Sequence, residues 1–290
     1  MKMKKLMIAA AAALWATVGM ADIESANVVG YQNKSLDKGK FYILGVQFEG
    51  MDGTMDINQL VSGLSGVDYD EDGLFTATAP HIQVPNAKGG YDLYYYLNNG
   101  YYVDEKGNDA EKPGWCDAFG TIAGDEAAGA IVSGILTPGI AAWVKDVGAA
   151  ETFVQAGQVS SDTEVSVDAP VAFALRTHAF PVAFNLNDTT KVAFSGLKGV
   201  DYDDDGTFTT TAPHIQVPNA KGGYDLYYYL NNGYYVDEKG DDAEKPGWCD
   251  AFGTIAGDVL AGAVVSGEVP AGQGFWTKGV GGTFSITFKK

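Results

Sequence analysis

The chain has 290 residues, of which 46% are hydrophobic and 19% charged, so it can form packed cores and is not a disordered tail. Its formal net charge of −18 excludes the ordinary electrostatic route to nucleic acids and anionic membranes. Two cysteines exclude a disulfide-dense scaffold and a cysteine-based zinc site, and 38 glycines with 12% aromatic residues indicate a turn-rich β protein.

Residues 1–21 have the pattern of a secretory signal peptide. Lys2, Lys4 and Lys5 form a basic start, a mostly apolar run follows, and small residues precede the expected cleavage after Ala21. The run is short for a membrane span, which needs about 20 apolar residues, although an uncleaved anchor is the alternative. We therefore expect a secreted protein (extracellular, periplasmic or on the cell surface) without a membrane span. Its mature net charge would be near −21.

The mature chain contains an internal duplication. Residues 75–125 and 208–258 agree at 49 of 51 positions, and matching residues such as Trp143 and Trp276 are 133 residues apart. This period is the size of a domain, so we expect two tandem domains, residues 22–154 and 155–290. The near-identity extends to loops, and one interpretation is that this segment carries a surface that is used twice. Recent duplication is the alternative explanation.

Most local signals predict short strands. Residues 41–48 are rich in aromatic and β-branched side chains, as strands are, whereas residues 57–64 predict one or two helical turns with Asp56 as N-cap. Later strands are expected at residues 130–135, 140–145, 152–155 and 283–288. Short strands separated by Gly, Pro and Asp predict an all-β fold with two β-sandwich-like or partly closed barrel domains.

The strongest local signal is a hairpin. Residues 91–98 and 101–105 flank Asn99-Gly100, a dipeptide favoured in type I′ turns. Leu93 and Leu97 mark its core face, so the tyrosines of the other face are expected at the surface, where aromatic rings can stack on sugars. The alternative is that both faces are covered. The candidate ligand-binding residues in the two copies are Tyr94, Tyr96, Tyr101, Trp115, Tyr227, Tyr229, Tyr234 and Trp248.

Two acidic loops, at residues 68–73 and 201–206, have the pattern Asp-x-Asp-x-Asp-Gly. Over these six residues they resemble the loops of EF-hands and dockerin-like calcium modules, which implies a weak calcium site. Ala79 and Ala212 stand where an EF-hand places its bidentate Glu, so an EF-hand is excluded. A solvated acidic turn is the alternative. The candidate calcium ligands are Asp68, Asp70, Asp72, Asp201, Asp203 and Asp205.

The cysteines and histidines offer few chemical possibilities. Cys116 and Cys249 occupy the same position in each copy, so they are a candidate disulfide between repeats or between chains, with buried free thiols as the alternative. His81 and His214 are expected to be half-buried structural residues. The sequence has no nucleophile elbow, no His-Glu-x-x-His and no phosphate loop. It therefore predicts a protein without catalysis.

Together these patterns predict a bivalent binding or adhesion module whose partner is a glycan or a cell-surface component. Asp92, Asp104 and Glu105 lie beside the tyrosines, so a neutral or cationic glycan is expected rather than an anion. Self-association stays open. A structural protein of the cell surface or matrix is the alternative, and a glycoside-active enzyme is a third. Exposed aromatic rings would favour the binding module, and buried rings would favour the structural protein.

Overall fold

The structure is a computed structural model that describes residues 29–50, 56–69, 74–86, 90–117, 121–122, 125–126, 131, 136–146, 151–202, 207–250, 254–255, 258–259, 264 and 267–290. Strands dominate these residues, and the helices among them are single turns. The prediction of an all-β fold is therefore confirmed. In the described ranges, no helix has the length and apolar character needed to cross a membrane. The expected signal peptide, residues 1–21, lies outside the described residues.

The first half of the chain forms a five-stranded antiparallel sheet, a three-stranded sheet and a two-stranded ribbon. Its elements are β1 (Val29–Leu36), β2 (Phe41–Gly45), α1 (Ile57–Leu60), β3 (Val61–Ser62), α2 (Phe75–Thr78), β4 (His81–Pro85), β5 (Tyr91–Val103), β6 (Asp109–Cys116), β7 (Thr121–Ile122), β8 (Asp125–Glu126), β9 (Ala141–Lys145) and β10 (Glu151–Gln158). The sheets have the strand orders β2-β9-β4-β5-β6, β1-β10-β3 and β7-β8.

The second half has corresponding sheets and one additional two-stranded ribbon. Its elements are β11 (Glu164–Ala169), β12 (Phe173–Arg176), β13 (Phe184–Asn185), β14 (Val192–Ser195), α3 (Phe208–Thr211), β15 (His214–Pro218), β16 (Tyr224–Val236), β17 (Asp242–Asp250), β18 (Thr254–Ile255), β19 (Asp258–Val259), β20 (Glu268–Val269), β21 (Phe275–Lys278) and β22 (Phe284–Lys289). The sheets have the orders β12-β21-β15-β16-β17, β11-β22-β14, β13-β20 and β18-β19.

Strand pairing shows where the first half ends. β10 pairs with β1 along its whole length, and β22 pairs with β11 in the same way. The expected boundary between residues 154 and 155 lies inside β10. Because all of β10 pairs with β1, the first half extends to Gln158. The division of the chain into two independent domains stays a prediction.

Each half has a core between its five-stranded and three-stranded sheets. In the first half, Ile82 and Val144 of the larger sheet pack with Phe153 of β10 and with Phe48. In the second half, Ile215 and Phe275 pack with Phe284 and Phe288 of β22. Burying a side chain of this size contributes about 1.5–3 kcal/mol. These cores give each half a β-sandwich-like arrangement.

A second, smaller cluster lies on the opposite face of each larger sheet. Phe75 of α2 packs there on Tyr95, Leu97 and Cys116 of β5 and β6. Phe208 of α3 packs in the same way on Tyr228, Leu230 and Cys249. Beneath the two helices, both faces of the sheet are therefore covered.

The two halves are joined by reciprocal contacts between strand edges. Gly45 N donates to Gly272 O at 3.2 Å, and Thr177 N donates to Gly139 O at 3.1 Å. The buried Gln47 side chain donates from Nε2 to the carbonyls of His178 and Phe180, at 3.1 and 2.8 Å. The junction therefore holds polar backbone groups as well as apolar side chains.

The predicted turn at Asn99-Gly100 is wrong. β5 runs through this dipeptide with a bulge, because Leu97 pairs with Gly114 whereas Gly100 pairs with Lys112. The hairpin turns at Asp104–Asn108 instead, where the Asp104 carboxylate accepts hydrogen bonds from the backbone N of Lys106 and Asn108 at 2.8 and 2.9 Å. Gly107 supplies the positive φ angle, +81°.

Tertiary contacts explain why Asn99-Gly100 does not turn. Asn99 Oδ1 accepts a hydrogen bond from Tyr69 N at 2.7 Å, which ties β5 to a distant segment. A Cβ at Gly100 would lie 2.5 Å from Cys116 Sγ and 2.8 Å from Ile131 Cγ1. Glycine is therefore needed here for close packing.

Several local predictions are confirmed. α1 begins after Asp56, whose side chain accepts from Asn58 N at 2.9 Å as an N-cap does. Strands occur within or around four predicted segments, as β2, β9, β10 and β22. Within the predicted segment 130–135, the structure describes Ile131 alone, which bridges to Cys116.

Candidate functional site

The two tryptophans of the predicted binding surface are core residues. Trp115 is 0% exposed and Trp248 is 1% exposed. Their rings lie 5.2 and 5.4 Å from those of Tyr96 and Tyr229. The prediction that Trp115 and Trp248 complete a surface for sugars is therefore wrong, because both rings fill the space between two sheets.

The tyrosines of the predicted binding face are half buried. Tyr94 and Tyr96 pack against the core of the first half, and Tyr227 and Tyr229 pack against that of the second. Burial raises the pKa of the Tyr94, Tyr227 and Tyr229 hydroxyls. Tyr101 and Tyr234 are half buried as well, in edge contact with Tyr69 and Tyr202. These tyrosines do not form an open stacking face.

The face that the sequence assigned to the core is exposed where β5 begins. Tyr91 and Leu93 are both exposed, as are Tyr224 and Leu226 in β16. Further along the same face, Tyr95 and Leu97 are buried beneath α2. The alternation of side chains along the strand therefore assigns residues to its two faces correctly. The helices and sheets that pack on each face decide which part of that face is buried.

Aromatic rings meet at the junction between the halves and form a surface that the sequence analysis missed. We call Phe41, Trp143, Trp276 and Phe173 the seam surface. The centroid distances between successive rings in that order are 5.8, 5.8 and 6.0 Å. Phe41 and Phe173 are 45% and 47% exposed, and the two tryptophans are half buried. Ile43, Ala141 and Leu175 form the buried cluster against which the tryptophans pack.

Lysines accompany the aromatic rings at the junction. Lys145 Nζ lies 4.9 Å from the centroid of Phe41, and Lys278 Nζ lies 4.9 Å from that of Phe173. Lys34 Nζ lies 5.8 Å from the Tyr42 ring. In the part of the chain that the structure describes, no carboxylate oxygen is within 4.0 Å of these three ammonium groups. The junction therefore combines aromatic surface with positive charge.

The histidines beside the seam surface support its outer rings. The His81 and His214 rings lie 5.8 and 5.4 Å from Phe41 and Phe173. Each Nδ1 is 3.3 Å from a backbone carbonyl, and burial lowers the pKa of both imidazoles. They are more buried than expected, and the neutral rings serve as packing partners.

A cleft of about 490 Å³ opens beside the seam surface. Phe41, Ile43 and Trp143 line it from the first half, and residues 218–220 and 222–224 contribute from the turn between β15 and β16. Lys34 is the one charged residue among the described residues that line it. The cleft therefore extends the seam surface into a concave site that both halves build.

The predicted calcium loops are described only at their first two residues. Asp68 Oδ1 accepts from Asn98 Nδ2 at 3.1 Å, and Asp201 Oδ1 accepts from Asn231 Nδ2 at 3.0 Å. Among the described residues, no three His, Cys, Asp or Glu side chains are placed to hold a metal ion. Calcium binding stays a prediction. The remaining candidate ligands, Asp70, Asp72, Asp203 and Asp205, lie outside the described residues.

The predicted disulfide between the repeats is wrong, and the alternative of buried free thiols holds, because both cysteines are free and buried. Cys116 and Cys249 belong to separate apolar clusters, one beneath α2 and one beneath α3. Each Sγ donates to a nearby carbonyl, that of Gly114 or Gly247, at 3.4 Å. Burial raises the pKa of each thiol to about 12.

No family model, curated protein or solved structure matches this chain. The class of protein is therefore defined by its fold and by the junction. It is an all-β, β-sandwich-like protein with an aromatic, lysine-bearing surface where its two halves meet.

Proposed function

We propose that this is a secreted, non-catalytic protein that binds carbohydrate at the seam surface. The observation that carries the proposal is the unbroken row Phe41, Trp143, Trp276 and Phe173, whose end members are nearly half exposed. Aromatic rings of this kind stack on the apolar faces of sugars, while polar groups nearby take the hydroxyls. The Tyr224 hydroxyl and the Gln273 amide belong to residues that line the adjoining cleft.

The proposal places the binding surface between the repeats rather than on each hairpin. Both halves contribute the same pair of residue types, Phe41 with Trp143 and Phe173 with Trp276. A polysaccharide with a repeating unit can therefore make the same contact twice. The second contact is then intramolecular and increases the overall affinity without a new kind of interaction.

The test uses the full chain and two double variants on an array of neutral and acidic polysaccharides. Phe41→Ala with Phe173→Ala removes the two exposed rings, whereas Val103→Ala with Val236→Ala is the matched control at two sites that are each 43% exposed. We expect the phenylalanine variant to lose at least tenfold in affinity and to stay folded, with a lower unfolding midpoint because both rings are partly buried. The valine variant should bind like the parent chain.

The result that contradicts the proposal is equally clear. If the parent chain binds no polysaccharide, or if the phenylalanine variant binds as well as the parent, carbohydrate binding at the seam surface is wrong. A structural role at the cell surface or in a matrix would then be the better candidate. The burial of Trp115 and Trp248 already favours that second candidate, because a structural protein uses its aromatic residues for packing.

A further inference from the structure

We infer that the seam surface selects anionic polysaccharides, whose sugars carry carboxylate or sulfate groups. The inference rests on the proposed carbohydrate binding and names the class of glycan. It starts from the placement of Lys145 and Lys278 over the two outer rings of the row. A polysaccharide that lies along this row of rings passes one lysine in each half of the protein.

These lysines are available to an anionic ligand. Among the described residues, neither ammonium group has a carboxylate within 4.0 Å, so no such pair must break when a ligand binds. The contact of each with a phenylalanine face is a weak interaction at an exposed site. A ligand carboxylate or sulfate can therefore replace or add to the ring contact with a charge-assisted hydrogen bond.

The charge of the surroundings points the same way. Acidic residues outnumber basic ones by 37 to 19 in the chain. The described lining of the cleft beside the seam surface nevertheless contains Lys34 and no carboxylate. Two acidic groups adjoin this lining: Asp225 accepts from Asn219 Nδ2 at 2.8 Å, and Asp37, whose carboxylate is hydrogen-bonded to Tyr42, pairs with Lys40 at 3.2 Å. The described lining itself therefore carries a positive charge and no carboxylate, although these two acidic groups adjoin it.

This inference differs from the expectation of a neutral or cationic ligand, which rested on acidic residues of the hairpin. Asp104 lies at the hairpin turn, where its carboxylate accepts hydrogen bonds from Lys106 and Asn108. The seam surface instead lies where β2 and β9 meet β12 and β21. An anion at the seam surface contacts Lys145 and Lys278, and it is repelled by Asp37 and Asp225 beside the cleft and by more distant acidic groups.

That difference in range predicts a characteristic salt dependence. The Debye length is about 30 Å at 0.01 M salt and about 10 Å at 0.1 M, so moderate salt screens the distant acidic groups more than the contacting lysines. We expect affinity for an anionic polysaccharide to rise between these concentrations and to fall again at about 1 M. A neutral polysaccharide should show little change.

The experiment measures binding of polygalacturonate, dextran sulfate and neutral dextran to the full chain and to two double variants. Lys145→Gln with Lys278→Gln removes the seam charges. Lys112→Gln with Lys245→Gln is the control, because these lysines lie 4.4 and 4.3 Å from the Tyr102 and Tyr235 rings, and the variant has the same net charge. We expect the parent to prefer an anionic polymer over dextran at least tenfold. Only the seam variant should lose that preference.

Each result of the binding experiment has a single interpretation. Preference for polygalacturonate identifies carboxylated sugars, and preference for dextran sulfate identifies sulfated ones. The inference is overturned if dextran binds as tightly as both anionic polymers, if the seam variant keeps the preference, or if the control variant loses it equally. In those cases carbohydrate binding stands when the Phe41→Ala and Phe173→Ala variant still weakens it. If no polymer or array glycan binds, both proposals are wrong.

Discussion

Trp143 and Trp276 occupy the same position in the two copies of the repeat, and they contact each other with ring centroids 5.8 Å apart. Each belongs to the strand next to the edge of its five-stranded sheet, β9 or β21. The contact therefore joins the two larger sheets through equivalent side chains. It also joins the aromatic contributions of the two halves into the single seam surface.

The first prediction separates core tryptophans from surface ones. Trp115→Ala should lower the free energy of unfolding by about 3–5 kcal/mol, because it leaves a cavity between two sheets. Trp143→Ala should cost less, since its ring is half exposed, but it should weaken glycan binding. Urea unfolding followed by circular dichroism gives both stabilities. Equal losses of stability would show that Trp143 is a core residue too.

The second prediction concerns two glycines of the hairpin. Gly100→Ala should destabilise the protein by about 1–3 kcal/mol, because its Cβ would meet Cys116 Sγ and Ile131. Gly107→Ala has open space around it but a φ angle of +81°, so strain of about 1–2 kcal/mol is expected. Unfolding midpoints in urea measure both.

A rescue experiment distinguishes the two causes. Cys116→Ala removes the sulfur atom and should recover part of the stability that Gly100→Ala loses. The same change should recover nothing in Gly107→Ala, since the strain at Gly107 is in the backbone. Failure to rescue Gly100→Ala would mean that crowding against Cys116 is not the cause.

The third prediction follows from the buried thiols. The ordinary pKa of 9.0 is raised by burial to about 12 in the folded chain, so the unfolded chain releases these protons first. The thiols therefore stabilise the fold fully below about pH 9, and this contribution declines as the pH rises toward 12. Unfolding free energies measured across this range should fall less steeply for Cys116→Ala with Cys249→Ala than for the parent.

The same burial predicts slow chemical labelling. Ellman's reagent should react with both thiols in urea and with neither in the native chain at pH 8, because the native thiols are protonated and covered. Rapid labelling of the native chain would contradict the packing of Cys116 and Cys249. Migration as a disulfide-linked dimer on a non-reducing gel would contradict it as well.

The fourth prediction concerns calcium. Calorimetry with calcium should detect about two weak sites per chain if the acidic loops bind it, and Asp70→Ala with Asp203→Ala should remove them. At a hundredfold excess over the dissociation constant, binding would stabilise the fold by about 2.7 kcal/mol. The absence of heat and of a melting shift at several millimolar calcium would leave only acidic turns.

Local sequence determined much of the architecture. The capped turn at Asp56 and α1 formed as predicted, because an N-cap needs only the chain that follows it. β2 and β22 formed where aromatic and β-branched residues predicted strands. The duplication was visible directly, since equivalent residues lie at a constant spacing. For the N-cap and the strands, the sequence signal lies within a few residues.

Tertiary structure decided which surfaces remained open. Asn99-Gly100 continues a strand because Asn99 bonds Tyr69 N and Gly100 packs on Cys116, and both partners are distant in sequence. Trp115 is buried because the three-stranded sheet covers its face of the larger sheet. The seam surface exists because the second half places Trp276 against Trp143. Alternation along a strand separates its two faces, but burial depends on which elements pack against each face.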